Sequence, residues 1–309
     1  MSKPESVDLP PCARRVDLEA PSGPLAALEA VPQRTAFATA LLVPGFTGSK
    51  EDFLALLEPF ADAGVRVVSI DQRGQCDSAG LANPAGYRAA GPSREDGENG
   101  EGYGSDDYGS SVFASDIRAL VRALADDGTG PVHLLGHSFG GHTVREALLG
   151  ARTAGPLPLA SVTLLDSGPA AVIGKSSVER LELLRALKDT LTLQQMHELA
   201  PVDVHPDPQV RAFLLRRWLA NDLNSLAEMA RRLLAEPDHT GELRALLDAW
   251  NLPCLVMSGI DEDVWSADLL RRMAERLGAG FVLIPGAGHS PNAQQPGLVA
   301  KALLEFWLG

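Results

Sequence analysis

Val132-His133-Leu134-Leu135-Gly136-His137-Ser138-Phe139-Gly140-Gly141 is the stretch on which the reading of this chain turns. The mostly apolar run Val132 to Leu135 reads as a buried strand, and a helical pattern follows Gly141. Between them lies a Gly-x-Ser-x-Gly sequence. A strand, a sharp turn and a helix in that order push the serine into a strained backbone conformation and lift its hydroxyl clear of the sheet end. The flanking glycines suit a turn where neighbouring chain passes too close for a Cβ. The plain alternative is an ordinary βα turn whose serine caps the helix. The pattern by itself is common; its position after a strand and before a helix is what marks Ser138 as a candidate nucleophile.

Outward from this turn the chain alternates strand and helix signals. Val16 to Ala20 and Leu25 to Ala30 flank Pro21-Ser22-Gly23-Pro24 as a hairpin. Ala38 to Val43 is a buried strand running into Pro44-Gly45-Phe46-Thr47-Gly48-Ser49. A helix with Phe53, Leu56, Leu57 and Phe60 on one face follows, closed by Gly64. Val65 to Ile70 is a strand ending in Asp71-Gln72-Arg73-Gly74, Ile117 to Leu124 is helical, and Val162 to Leu165, Leu255 to Met257 and Phe281 to Ile284 are further strands. Repeated strand–helix units predict an α/β fold: a mostly parallel central sheet with helices on both faces. The active site of such a sheet lies at the carboxyl ends of its strands.

Two segments interrupt the alternation. From about 79 to 111 the sequence is polar, acidic and glycine-rich, culminating in the run 94–107. That composition suits a solvated loop, and its glycine spacing does not match a calcium loop. From 169 to 251 no strand signal occurs, but helical apolar spacing recurs over 178–188, 193–199, 210–219, 223–234 and 243–250. This predicts a core in two parts, 13–168 and 252–309, with an inserted helical cap over 169–251 that shapes the pocket and excludes water.

The whole-chain properties narrow the function. At 309 residues and 45% hydrophobic content, the chain can build one large domain with an insertion. A net charge of −13 argues against nucleic acid or an anionic membrane surface as partner. Cys12, Cys76 and Cys254 have neither pairing nor metal spacing, which suits a reducing cytosol. The N-terminal sequence lacks a signal-peptide apolar stretch, and no apolar run is long enough for a bilayer. The expectation is a cytoplasmic protein.

A serine hydroxyl needs a base to take its proton. Of the seven histidines, His289 has the best position: it stands in Pro285-Gly286-Ala287-Gly288-His289-Ser290-Pro291, directly after the last predicted strand. His133 is in mid-strand, His137 is inside the serine turn, His142 lies on the following helix, and His197, His205 and His239 fall in the cap. None of these pairs with another at metal-ligand spacing beside a carboxylate, so no metal and no cofactor is expected. A carboxylate must orient the histidine. Asp166 follows the strand Val162 to Leu165, and Gly259-Ile260-Asp261-Glu262-Asp263-Val264-Trp265 follows the strand Cys254 to Met257. Either preserves the chain order serine, acid, histidine.

With these motifs in place the chain resembles the α/β-hydrolase superfamily, in its group of capped lipase- and esterase-like enzymes. The resemblance runs from Leu41 to the C-terminus. It implies Ser138 as nucleophile, His289 as general base, and an oxyanion hole made by the backbone N–H groups of Phe46 and Phe139. It implies a serine hydrolase acting on a small carboxylic ester or lactone, with no cofactor. For the acid, aspartate is the usual type and favours Asp263. The usual spacing from the glycine favours Glu262 as the alternative, with Asp166 third. The family's usual His-Gly before the oxyanion residue is Pro44-Gly45 here, and the Asp-x-Arg-Gly turn ends in Gln75-Cys76. The segment Gly45 to Ser49 also resembles that of menaquinone-pathway synthases of this fold, so C–C hydrolysis or lysis is the alternative reading. That chemistry asks for cations near a substrate carboxylate, for which Arg73, Arg88 and Lys175 are candidates. A non-catalytic, ligand-binding member of the fold is the third reading.

Overall fold

The computed structural model describes residues 2–21, 23–79, 108–201 and 204–309. Its strands are β1 (Ala13–Leu18), β2 (Leu25–Ala30), β3 (Ala38–Val43), β4 (Val65–Ile70), β5 (Val132–His137), β6 (Ser161–Leu165), β7 (Cys254–Gly259) and β8 (Gly280–Ile284). Its α-helices are α1 (Leu54–Asp62), α2 (Ser110–Asp126), α3 (Phe139–Gly150), α4 (Lys175–Leu187), α5 (Leu193–Leu199), α6 (Pro208–Ala220), α7 (Leu223–Ala235), α8 (Thr240–Trp250), α9 (Ala267–Leu277), α10 (Pro291–Gln294) and α11 (Pro296–Leu308).

The strands form one sheet in the order β1-β2-β4-β3-β5-β6-β7-β8. β1 and β2 pair antiparallel at one edge, and every pairing from β4 to β8 is parallel. The expected mostly parallel sheet is therefore what the chain builds. Successive side chains of a strand alternate between faces, and here they feed two separate cores. Leu41, Val43 and Leu134 pack with α2, α3 and α9 on one side. Ala40, Leu42 and Leu135 pack with α1 and α11 on the other. Both faces are covered, which is why these strands read as nearly continuous apolar runs.

The order of the strands reverses at β3: the chain goes from β3 outward to β4 and then back past it to β5. The crevice between the carboxyl ends of β3 and β5 is the switch point, where ligands of such sheets bind. Pro44 to Ser49 leaves β3 there, and Ser138 leaves β5 beside it.

Helices α4 to α8 fall between β6 and β7. Asp207 and Asp222 cap α6 and α7, each accepting two backbone N–H bonds at the helix start. These two helices meet the carboxyl end of the sheet. The Asp222 N–H donates to Gly74 O (2.8 Å), the Ser225 hydroxyl to Arg73 O (2.9 Å), and Arg217 Nη1 to Asp52 Oδ1 (2.6 Å). α8 instead packs on α3 and α9 at the flank. The expected loop run 94–107 and Arg88 lie outside the described residues. Among the described residues, no helix is long and apolar enough to cross a membrane.

Candidate active site

β5 ends in His137 and α3 begins at Phe139, so the whole turn is a single residue, Ser138. Ser138 has φ 53° and ψ −119°, a conformation that costs a non-glycine residue of order 1–3 kcal/mol. Two backbone bonds hold it there: its N–H donates to Leu165 O (2.9 Å), and its carbonyl accepts the Gly141 N–H (2.9 Å). Glycine is needed at 140 because a Cβ there would run into the Val43 carbonyl of the neighbouring strand. The serine turn is thus clamped between β3 and β6.

His289 sits on the loop after β8, and its Nε2 lies 2.9 Å from Ser138 Oγ. On the other side of the ring, Nδ1 lies 3.0 Å from Glu262 Oε1 and 2.9 Å from Oε2. A carboxylate only accepts, so Nδ1 carries the proton and Nε2 presents its lone pair to the serine hydroxyl. The expectation of Asp263 as the partner of His289 is corrected here: Asp263 is exposed, and Glu262 holds that place. The reason is local. Glu262 Oε1 accepts the Val264 N–H (2.8 Å) and the Trp265 N–H (2.9 Å), which bends the carboxylate inward. Asp263, the next residue, points to solvent. Asp166, the third candidate, is wholly buried at the end of β6 and takes the Gly259 N–H at its Oδ1 (3.0 Å).

The candidate oxyanion donors belong to the two segments next to Ser138. Phe139 is the first residue of α3, where N–H groups have no acceptor within the helix and the dipole favours negative charge. Phe46 follows Gly45, and a Cβ on Gly45 would meet the Ser138 Cβ at 2.9 Å and His137 Nδ1 at 3.3 Å. The Pro44-Gly45 sequence is therefore what brings this segment against the serine.

Sequence reasoning gave His137 no role. In the structure its Nε2 lies 2.7 Å from the His289 carbonyl oxygen, so Nε2 carries the proton and donates, tying the base's backbone to the serine turn. Burial, then the nearby His289, lowers the His137 pKa to about 3 and keeps the ring neutral. Trp265 was also missed. Wholly buried, it donates Nε1–H to Ala170 O (3.0 Å) and lies with its ring 6.1 Å from that of His289. A tryptophan three residues after a candidate acid is a weak signal, because nothing local reveals which ring it will face.

Of the cations expected for a substrate carboxylate, Arg73 and Lys175 are placed elsewhere, and Arg88 lies outside the described residues. Arg73 is buried with Nε 2.9 Å from Asp116 Oδ2. Lys175 is exposed on α4 and pairs with Glu179 at 3.9 Å. Among the described residues, one cluster has metal-ligating donors, Glu51, Asp71 and Cys76. The Lys50 ammonium fills it, 2.7 Å from Asp71 and 3.3 Å from Glu51. Burial alone would lower the Lys50 pKa; the Asp71 and Glu51 charges more than reverse this and raise it.

A buried serine hydroxyl, an imidazole with its Nε2 on that hydroxyl, and a carboxylate behind the imidazole form a proton relay able to activate an oxygen nucleophile. The profile of the Alpha/beta hydrolase family matches residues 40–302. The chain belongs to the α/β-hydrolase family. Among curated relatives, it is 26% identical over 290 residues to a protein from Variovorax paradoxus named as a carbamate hydrolase, RutD. That match covers 86% of this chain and 90% of the relative. It is 26% identical over 270 residues to a 2-hydroxy-6-oxononadienedioate/2-hydroxy-6-oxononatrienedioate hydrolase from Burkholderia vietnamiensis, covering 85% of this chain and 83% of that one. Among solved structures, an esterase from Thermogutta terrifontis superposes with a TM-score of 0.62 at 23% identity, over 95% of this chain and 97% of that one. An enol-lactonase from Burkholderia xenovorans superposes with a TM-score of 0.68 at 16% identity, over 95% and 100%. These structural likenesses establish the α/β-hydrolase fold.

Proposed function

We propose that this α/β-hydrolase is a serine hydrolase that cleaves a small carboxylic ester or lactone through an acyl-enzyme on Ser138. The observation that carries the reading is the continuous relay from Ser138 Oγ through His289 to Glu262 at the switch point of the sheet. His289 Nε2 takes the hydroxyl proton as Oγ attacks the acyl carbonyl. The negative charge that develops on the carbonyl oxygen is held by the N–H groups of Phe46 and Phe139, where each such donor is worth about 3 kcal/mol. Glu262 stabilises the imidazolium without taking its proton. The imidazolium then protonates the departing alkoxide, water is deprotonated by the same nitrogen, and the acyl-enzyme is hydrolysed. Helices α6 and α7, bonded to the sheet's carboxyl end, act as the cap over this chemistry.

Hydrolysis of a C–C bond is a second reading, favoured by the likeness to the Burkholderia vietnamiensis hydrolase. The burial of Arg73 against Asp116 and the exposure of Lys175 on the surface of α4 weigh against it; Arg88, the third candidate cation, lies outside the described residues.

The test is a panel of p-nitrophenyl esters, lactones, a carbamate and a vinylogous β-diketone acid, with a fluorophosphonate probe and the Ser138→Ala variant. Ester or lactone turnover that falls more than about a thousandfold in Ser138→Ala supports the reading. Turnover retained by that variant, or confined to the C–C substrate, overturns it. No labelling and no turnover points to the ligand-binding alternative.

A further inference from the structure

We propose that Asp166 is a protonated carboxylic acid whose O–H donates to the Glu262 carboxylate, making it the positioning residue for the acid behind His289. The inference rests on reading Ser138, His289 and Glu262 as the catalytic group.

The two carboxyl groups come from different strand ends and are side by side. Asp166 terminates β6 with its side chain wholly buried and a positive φ of 41°, a conformation kept by non-glycine residues chiefly where surrounding structure demands it. Its Oδ1 accepts the Gly259 N–H at 3.0 Å. Its Oδ2 is buried and accepts no hydrogen bond, and the Glu262 carboxylate is the charged group that acts most strongly on the Asp166 carboxyl. Two buried carboxylates in contact cannot both hold their charge, so one keeps a proton. The donor sets decide which. Glu262 already accepts from the Val264 and Trp265 N–H groups and from His289 Nδ1, three donors. Asp166 receives one backbone N–H, from Gly259, and beside it only the Ser258 hydroxyl. The proton therefore belongs on Asp166 Oδ2, where it turns an orphaned acceptor into a donor and removes the repulsion in a single step.

The electrostatics agree. Burial first, and the Glu262 charge second, raise the Asp166 carboxyl far above the usual carboxylate range, while the Gly259 N–H and the Ser258 hydroxyl pull it down without reversing the shift. The consequence for the reaction is charge balance. The pair carries one negative charge rather than two against the single positive charge of the imidazolium. The O–H···O bond also restrains the longer and looser glutamate side chain, which has one more rotatable bond than aspartate.

Infrared difference spectra of the wild-type protein against Asp166→Asn test the protonation directly, at pH 7 and without any substrate. A carboxylic-acid C=O band present in the wild type, shifted in D2O and missing from Asp166→Asn, is the expected result. A wild-type spectrum in which Asp166 contributes only carboxylate bands overturns the proposal. The kinetic arm uses a substrate that the wild type turns over. Asp166→Ala should lower kcat roughly 10- to 100-fold with little change in KM, the usual cost of losing a partner behind a site residue. Asp166→Asn, whose amide still donates to Glu262, should recover most of that loss. An Asn variant no better than Ala overturns the positioning role. The spectral arm is independent of turnover, so a failure of the Ser138 reading leaves it decisive, and the Ser138→Ala variant reports that failure separately.

Discussion

Glu262, and not its neighbour Asp263, lies behind His289, with both carboxylate oxygens within 3.0 Å of Nδ1. The sequence preference for aspartate fails because the Val264 and Trp265 N–H groups capture the side chain of residue 262. Glu262→Gln should therefore lower kcat on an ester by about three to four orders of magnitude, the scale seen when the carboxylate of such a relay becomes an amide. Asp263→Asn should leave kcat within about twofold, as expected of an exposed side chain away from the relay. Steady-state rates of the two purified variants check this, and the reverse ranking would return the role to Asp263.

Gly45 touches the serine through the space a Cβ would fill, 2.9 Å from Ser138 Cβ. Gly45→Ala should displace the Phe46 N–H from the developing oxyanion and lower kcat about 100-fold, the value of one such donor. Stopped-flow acylation with a p-nitrophenyl ester reads the step concerned. An unchanged acylation rate would remove Phe46 from the oxyanion hole.

His142 packs between the rings of Phe139 and Trp265, with no partner within hydrogen-bond distance and Glu236 3.9 Å away. Burial, then the Arg145 charge, lowers its pKa from 6.5 to about 3. Between those values the unfolded chain binds a proton that the folded one refuses. Stability is thus full above pH 6.5 and falls as the pH drops toward 3, by about 1.4 kcal/mol per pH unit. His142→Phe keeps the ring and removes the titration. Urea unfolding at pH 7.5 and pH 5 should show the variant gaining about 2 kcal/mol relative to wild type. A pH-independent difference would mean that His142 is not held neutral.

Arg217 of α6 and Asp52 form an ion pair of 2.6 Å with both side chains buried, and Arg217 Nη2 also donates to Ser2 O at 2.7 Å. Burial raises the Asp52 carboxyl to about 6 despite the opposing Arg217 charge, so the pair depends on its geometry. Arg217→Met should destabilise the protein by about 3–5 kcal/mol because it leaves Asp52 buried alone. Adding Asp52→Asn should recover part of that loss in a double-mutant cycle, measured by chemical denaturation. Strictly additive losses would show that the two side chains do not interact.

Much of the molecule was legible in the sequence. The strand runs at 38–43, 65–70 and 132–135, and the helices of 169–251, recur within a few residues of their expected limits. Buried strands and amphipathic helices impose a local period on the chain, so their pattern survives without knowledge of neighbours. Ser138 and His289 were legible because strand-to-turn junctions at the carboxyl edge carry glycine-rich sequences. The paired role of His137, the place of Trp265 and the separation of α8 from α6 and α7 were not legible. Each depends on contacts between segments far apart in sequence.

The sequence by itself determined the order of strands and helices, and with it a sheet edge at which Ser138 and His289 emerge. Tertiary structure alone decided which carboxylate serves His289. Glu262 and Asp263 are chemically alike and adjacent. Their roles diverge because the turn after β7 directs one inward onto the Val264 and Trp265 N–H groups, and because Asp166 arrives beside it from β6. Local sequence encodes periodicity and turns; the direction of one side chain among packed strand ends is set by neighbours that only folding brings together.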